Sequence, residues 1–332
     1  MARPRTVERF LPAALGALRD FPVTPGEVTL VAYSENLTFR VTDAVDGRVY
    51  ALRLHRPGYN SLEALEAEHA WIQALTAAGM SVPAVVLARD GRAYVEAHVP
   101  ALNQHRFASM TRWAPGRLLS DLLRDADTAA VATHLNALGA LTARMHDHAS
   151  SWRPPPGFQR RCLGLDALIG DNPVWGRFEA HPALAPGERR LLLEARDRIQ
   201  AALGDLAPTP EAFGLIHADI HPENVIVDGD RLTLLDFDDA AFGWRLYDLA
   251  VGLFYLHDRA DWAASERAYL EGYRAVRSLD EGDLAHLPFF RLARGLMMVG
   301  WFEQRPKLSG TAAFAQLKQR VLRQCAAIER PG

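Results

Sequence analysis

Residues Gly214 to Asp239 read GLIHADIHPENVIVDGDRLTLLDFDD. Two apolar runs, Val225 to Val227 and Leu232 to Leu235, flank Asp228-Gly229-Asp230, a pattern that predicts a β-hairpin. Asn224 stands just before the first run and Asp236 just after the second, so closing the hairpin is expected to bring their side chains together. Two oxygen donors at one mouth suit a hard cation such as Mg2+, which takes few protein ligands and completes its shell with phosphate and water. Asp219 lies five residues before Asn224, on a loop where it can approach the same point without being a ligand. Phosphoryl transfer needs this division of labour: a metal neutralises phosphate charge while a separate carboxylate orients the attacking hydroxyl. Taken singly, Asp219 reads equally as a turn cap, Asn224 as an Asx-turn and Asp236 as a strand end. The His-x-Asp-x-x-x-x-Asn spacing, followed by hairpin and Asp, is what is specific.

Outward from this island the two directions differ. Toward the N-terminus the chain reads as strands: Glu27 to Tyr33, Leu37 to Val45 and Arg48 to His55, with Asp46-Gly47 as a hairpin turn. A helix is expected from Ser61, its N-cap, to Ala78, with Gly79 ending it. Val82 to Ala88, Arg92 to His98 and Arg106 to Trp113 return to strand character. After Ala114-Pro115-Gly116 the chain turns mainly helical: Leu118 to His148, Glu188 to Leu206, and a series from Leu246 to Ile328. The expectation is an α+β fold of two lobes, a β-rich one over residues 1–113 and a mainly helical one over 114–332, with a ligand cleft between them.

The catalytic island resembles the catalytic loop and metal-binding segment of the aminoglycoside phosphotransferase family, which has a bilobal protein-kinase-like fold. Asp236-Phe237-Asp238-Asp239, with Gly243 and Tyr247-Asp248-Leu249 after it, is similar to the homoserine-kinase-like and bacterial stress-response-kinase-like branch. The resemblance implies an ATP-dependent, Mg2+-requiring kinase with Asp219 as catalytic base and Asn224 and Asp236 as metal ligands. It implies structural roles for His217, which opens the loop, and for Asp248, which holds it. In the nucleotide lobe it implies that Ser34, Asn36 and Thr38 offer donors to phosphate, although no G-x-G-x-x-G is present. Arg53 occupies the place of the usual strand lysine, a departure that keeps the charge and changes the geometry. Leu65, Glu68, Ile72 and Leu75 form one helical stripe, and a carboxylate in such a stripe needs a partner if buried. Arg53 is the expected one. Thr111 and Trp113 are expected to bond the adenine edge through their backbones.

Bulk properties narrow the alternatives. The chain has 332 residues, 49% hydrophobic and 23% charged, with a formal net charge of -3. That is ordinary for a folded protein and offers no general attraction to nucleic acid or anionic lipid. Two cysteines, Cys162 and Cys325, exclude a disulfide framework and suit a reducing cytoplasm. The N-terminal stretch Val7 to Phe21 is interrupted by Glu8, Arg9, Pro12 and Arg19, so an amphipathic surface helix is expected there rather than a signal peptide, and no membrane span is expected anywhere. Three competing readings stand beside the small-molecule kinase. His217-x-Asp219-x-His221 suggests a metal-dependent hydrolase, but leaves the hairpin unexplained. A Ser/Thr protein kinase of the stress-response type lacks room for an activation segment between Asp236 and Tyr247. A non-catalytic nucleotide-binding module leaves Asp219 without purpose. The partners expected are therefore a nucleotide and a small-molecule acceptor. Asp238, Asp239 and the loop from Trp152 to Arg161 are expected to line the acceptor pocket, favouring an amine-bearing alcohol. Nothing in the sequence fixes an oligomeric state.

Overall fold

Every second side chain from Leu37 to Asp43 is buried, and that alternation builds a strand with one face on a core. The computed structural model of the protein describes residues 4–33 and 35–328. In chain order the first elements are α1 (Pro4–Leu18), β1 (Pro25–Tyr33), β2 (Leu37–Asp43), β3 (Val49–Leu54), α2 (Leu62–Ala77), β4 (Val85–Val86), β5 (Tyr94–Val99), β6 (Gln104–Arg112) and β7 (Arg117–Leu118). Then come α3 (Leu119–Asp125), α4 (Thr128–Ser151), β8 (Cys162–Leu163), α5 (Leu165–Ile169), α6 (Pro186–Leu203), β9 (Phe213–Ile216), β10 (Val225–Asp228) and β11 (Arg231–Leu234). The chain closes with β12 (Ala241–Trp244), α7 (Arg245–Leu256), α8 (Trp262–Arg274), α9 (Glu281–Glu303) and α10 (Ala312–Ala327). Strands and helices are segregated along the chain, as in an α+β protein.

One compact unit takes the residues up to Arg117 and adds Trp152–Arg160 and Ile226–Asp238. Its main sheet is antiparallel in the order β1-β2-β3-β6-β4, with β5 also on β6. As expected, α1 is an amphipathic surface helix, with Glu8, Arg9, Pro12 and Leu15 exposed on its outer side. Phe10, Ala13, Ala14 and Ala17 recur at helical spacing and are buried in one core with Leu37, Phe39, Val41 and Leu52. The expected strand Val82 to Ala88 shrinks to Val85–Val86, because Pro83 has no N–H to give a ladder. Helix α2 starts where Ser61 caps it, the hydroxyl accepting from the Ala64 N–H at 3.3 Å. Gly116, at φ +111°, has no room for a Cβ beside the Val227 carbonyl. That close approach needs a glycine.

The second unit comprises Leu118–Ser151, Arg161–Val225 and the residues from Asp239 onward. It is mainly helical, with a small sheet in the order β8-β12-β9. The expected helix Leu118 to His148 is two helices, since Asp127 caps a new start with its carboxylate on the Ala130 N–H at 2.8 Å. Helices α4 and α8 touch at paired glycines: Gly139 lies on the Tyr269 and Tyr273 backbone, Gly272 on that of Asn136. The close packing brings His146 of α4 against Tyr273 of α8.

Candidate active site

Strand β9 leads into His217, and the turn that follows is strained. Ala218 has φ +68°, a left-handed conformation costly for a residue with a Cβ. Asp248, in the first turn of α7 and fully buried, holds it. Its carboxylate accepts from the backbone N–H of His217 at 2.9 Å and of Ala218 at 2.6 Å, and bonds His146 Nε2 at 3.1 Å. The other nitrogen of His146 accepts from the Tyr273 hydroxyl at 2.9 Å. Burial lowers the His146 pKa against the pull of Asp248, which favours the neutral ring this chain of bonds requires.

Asp219 projects from this clamped turn, its own N–H donating to His217 Nδ1 at 3.2 Å. Arg294 Nη2 donates to its Oδ1 at 2.5 Å; Asn224 Nδ2 donates to Oδ2 at 3.0 Å, and His221 Nε2 lies 3.3 Å from the same oxygen. His221 is fixed in turn, its Nδ1 accepting from the Glu223 N–H at 3.3 Å and its ring stacked 4.5 Å from Tyr255. Burial pushes the Asp219 pKa up, but His221 and the Arg294 guanidinium beside it outweigh this and hold the carboxyl well below its ordinary range. Its side chain stays 20% exposed. Asn224 Nδ2 also donates to the Asp219 carbonyl at 2.9 Å. Both these acceptors are oxygens, so the amide nitrogen must face them, and the Asn224 carbonyl oxygen has no partner among the described residues.

Asp236 follows β11 with φ +59°, a second non-glycine residue in the left-handed region. Its Oδ1 accepts from Arg53 Nη2 at 2.7 Å, and its Oδ2 has no partner among the described residues, with the side chain 38% exposed. A neutral amide oxygen and a carboxylate oxygen, each with unused lone pairs, are the hard donors that Mg2+ takes. His217, Asp219 and His221 do not gather as a zinc set: among the described residues no three His, Cys, Asp or Glu side chains could hold a metal together.

Several expected contacts are replaced by others. Arg53 pairs with Asp236, and at 3.8 Å with Asp238, instead of Glu68. Glu68 is buried on α2 as its stripe demands, but its nearest cation is Arg160 at 4.0 Å and its Oε2 has no hydrogen bond. Burial, then the nearby Asp238, pushes its pKa up to about 8. Arg160 itself clamps α2 to the Asp236-Phe237-Asp238 segment, donating to the carbonyls of Ala64 at 2.8 Å, Phe237 at 3.2 Å and Asp238 at 2.8 Å. Phe237 reinforces the clamp edge-on to Trp71. Neither Asp238 nor Arg160 is available to an acceptor pocket. Asp238 is buried, accepting from Asn36 Nδ2 at 3.1 Å and Asn60 Nδ2 at 2.9 Å, with Arg56 and His55 each at 3.8 Å. Asn36 is thereby committed, and its carbonyl oxygen accepts from the Arg56 N–H at 2.7 Å. Of its neighbours, Thr38 lies opposite Arg53 in the β2–β3 register, and Ser34 falls outside the described residues. The Trp113 N–H bonds the Val49 carbonyl at 3.0 Å, so it is not a donor for adenine. Strand alternation aims the Thr111 backbone groups the same way, at Ala51.

A clamped aspartate loop, a hairpin flanked by hard oxygen donors and a cationic strand residue on the second donor are the parts of a protein-kinase-like phosphotransferase. The chain belongs to the phosphotransferase enzyme family, whose sequence pattern matches residues 28–285. The structure of a microcompartment-associated aminopropanol kinase superposes with a TM-score of 0.79 at 30% identity, covering 95% of this chain and 94% of that one. Homoserine kinase of Granulibacter bethesdensis is 29% identical over 219 residues, 64% of this chain and 61% of that protein. Amicoumacin kinase of Bacillus subtilis is 24% identical over 291 residues, 84% and 80% of the two chains. The fold is thus the kinase-like one, with a β-rich N-terminal lobe and a mainly helical C-terminal lobe. The protein is an ATP- and divalent-metal-dependent kinase acting on a hydroxyl of a small molecule.

Proposed function

We propose that Asp219 orients the acceptor hydroxyl and takes its proton, that Asn224 and Asp236 hold one Mg2+, and that Arg53 and Thr38 meet the nucleotide phosphates. The observation that carries this reading is the Asn224 amide. Its nitrogen is tied to both the carbonyl and the carboxylate of Asp219, so the base and the remaining amide oxygen are set in one rigid piece. In the transfer the acceptor oxygen bonds to the γ-phosphorus as the bond to the β,γ-bridging oxygen breaks. ADP leaves with the electron pair, and the hydroxyl proton passes to Asp219. Mg2+, when bound, neutralises charge on the phosphates. Asp219, held strongly acidic by its neighbours, acts mainly by aiming the hydroxyl and receives the proton late. Arg53 leaves Asp236 for the phosphates in this reading, a guanidinium being suited to bidentate phosphate contact.

The acceptor is an alcohol that also carries an amine. Support comes from the relatives named for aminopropanol and homoserine, both of which have the two groups. The lobes divide near residues 113 and 114, and the protein works in the cytoplasm with no nucleic-acid or membrane partner. Its net charge of -3 and two free cysteines favour that setting, and among the described residues no helix is long and apolar enough to cross a membrane. The test is ATP consumption with 1-amino-2-propanol, L-homoserine, neutral sugars and carboxylic acids, run with wild type and Asp219→Asn. Amino alcohols are expected to be preferred, and the variant to keep Mg-nucleotide binding while losing turnover at least ~100-fold. Undiminished turnover in the variant removes Asp219 from the chemistry; preference for an anionic acceptor removes the amine.

A further inference from the structure

Arg294 lies nine residues beyond the stretch that the family pattern matches, in the middle of α9. It is 3% exposed, among Leu287, Phe290 and Met297 on the helix's buried face. A guanidinium in such a place is costly unless its donors are used. Here the use is uneven. Nη2 is shared between Asp219 Oδ1 at 2.5 Å and the Tyr255 hydroxyl at 3.0 Å, while Nε, though buried, has no hydrogen bond. A side chain retained to hold α9 together would satisfy all its donors locally; this one reaches off its own helix to the Asp219 carboxylate and the Tyr255 hydroxyl.

The helix delivers it rigidly. The next residue, Gly295, leaves a Cβ only 3.1 Å from Val321 of α10 and 3.3 Å from Phe254 of α7, so α9 sits tight between those two helices. Tyr255, which receives the second bond of Nη2, is also the platform on which His221 stacks. Asp219 therefore has one oxygen fixed from its own loop, by Asn224 and His221, and the other fixed from α9. Removing the second hold frees the carboxylate to rotate about its χ angles, and a displacement of about an ångström at a reacting group costs on the order of 100-fold in rate.

We infer that Arg294 is a positioning residue for the transfer: it pins Asp219 Oδ1 and so sets the direction from which the acceptor hydroxyl is held. The inference rests on the reading of Asp219 given above. The experiment is a double-mutant cycle of Arg294→Gln and Asp219→Asn, with Arg294→Lys alongside. Phosphate release from γ-labelled ATP is followed with water as the acceptor and with 1-amino-2-propanol, and the Kd of a fluorescent ATP analogue is measured in each protein. Arg294→Gln is expected to lower kcat about 10- to 100-fold, with KM for Mg-ATP and the analogue Kd within about twofold, and Arg294→Lys to recover part of the loss. In the Asp219→Asn background the further cost of Arg294→Gln is expected to collapse to less than about twofold, as for residues acting as one unit. An unchanged kcat in Arg294→Gln, or an equal loss in both backgrounds, overturns the inference while leaving Asp219 in place. Full turnover in Asp219→Asn overturns the reading of Asp219 itself. Should Arg294→Gln fail to fold, Arg294→Met takes its place in the cycle, and an equal loss in both Asp219 backgrounds is the overturning result.

Discussion

Asp219 and Asp238 are both aspartates ringed by cations and amide donors, and both are held below the ordinary carboxylate range. For Asp219 the neighbouring His221 and the Arg294 charge overcome burial; for Asp238 the neighbouring His55 and the Arg53 charge do so. They differ in access. The Asp219 side chain is 20% exposed and its partners come from a strained loop and one helix, whereas that of Asp238 is 8% exposed and its partners come from β3, α2's approach and the β1–β2 turn. In the function proposed above, the same electrostatic arrangement serves chemistry where a face is left open and architecture where it is closed. Low pKa alone does not separate the two roles.

The largest effect that would break this contrast is on stability. Asp238→Ala removes the buried carboxylate that Asn36 and Asn60 bond and that Arg53 and Arg56 face, and is expected to cost about 3–5 kcal/mol in urea denaturation. Asp219→Asn, by contrast, should lose its turnover with a melting temperature within a few degrees of wild type; equal destabilisation by both changes would erase the distinction. Glu68 supplies a third case, a buried carboxylate with too few partners. Its pKa is raised to about 8, so the stability associated with its protonated form is present below about pH 4.5 and lost as pH rises through 8. Glu68→Gln stays neutral, and its melting temperature relative to wild type should rise across that window and level off above it. A flat difference would mean that Glu68 is ionised and paired with Arg160. The smallest effect is a control outside both sites: Ser61→Ala removes the α2 cap and should cost about 1 kcal/mol, with kcat unchanged.

Local signals were legible in the sequence. The hairpin at 225–234, the Ser61 cap and the stripe that buries Glu68 each depend on residues within one or two turns of each other. What escaped was partner choice over distance. Arg53 finds Asp236 across 183 positions and Asn36 finds Asp238 across 202, and no pattern within a single element specifies such pairs. The amphipathic character of α1 was legible, but the sheet on which its apolar face packs was not. Arg294 did carry a signal. Leu287, Phe290, Arg294 and Met297 fall at i, i+3, i+7 and i+10, the spacing that picks out Glu68 on α2. A charge at a core position of an otherwise apolar stripe is a question about a partner, and here the partner was Asp219.

The unit built around the main sheet draws on residues 226–238, far along the chain from Asn36, Arg53 and Arg56. At ribosomal speeds of about 5–20 residues per second, roughly ten seconds or more separate the emergence of those side chains from that of Asp238. Throughout that interval Arg56 has Glu35 beside it, but Arg53 and Asn36 lack the Asp236 and Asp238 carboxylates that they bind in the folded unit. Folding of the unit is therefore completed late in translation, and a fragment ending at residue 113 lacks the piece that supplies them.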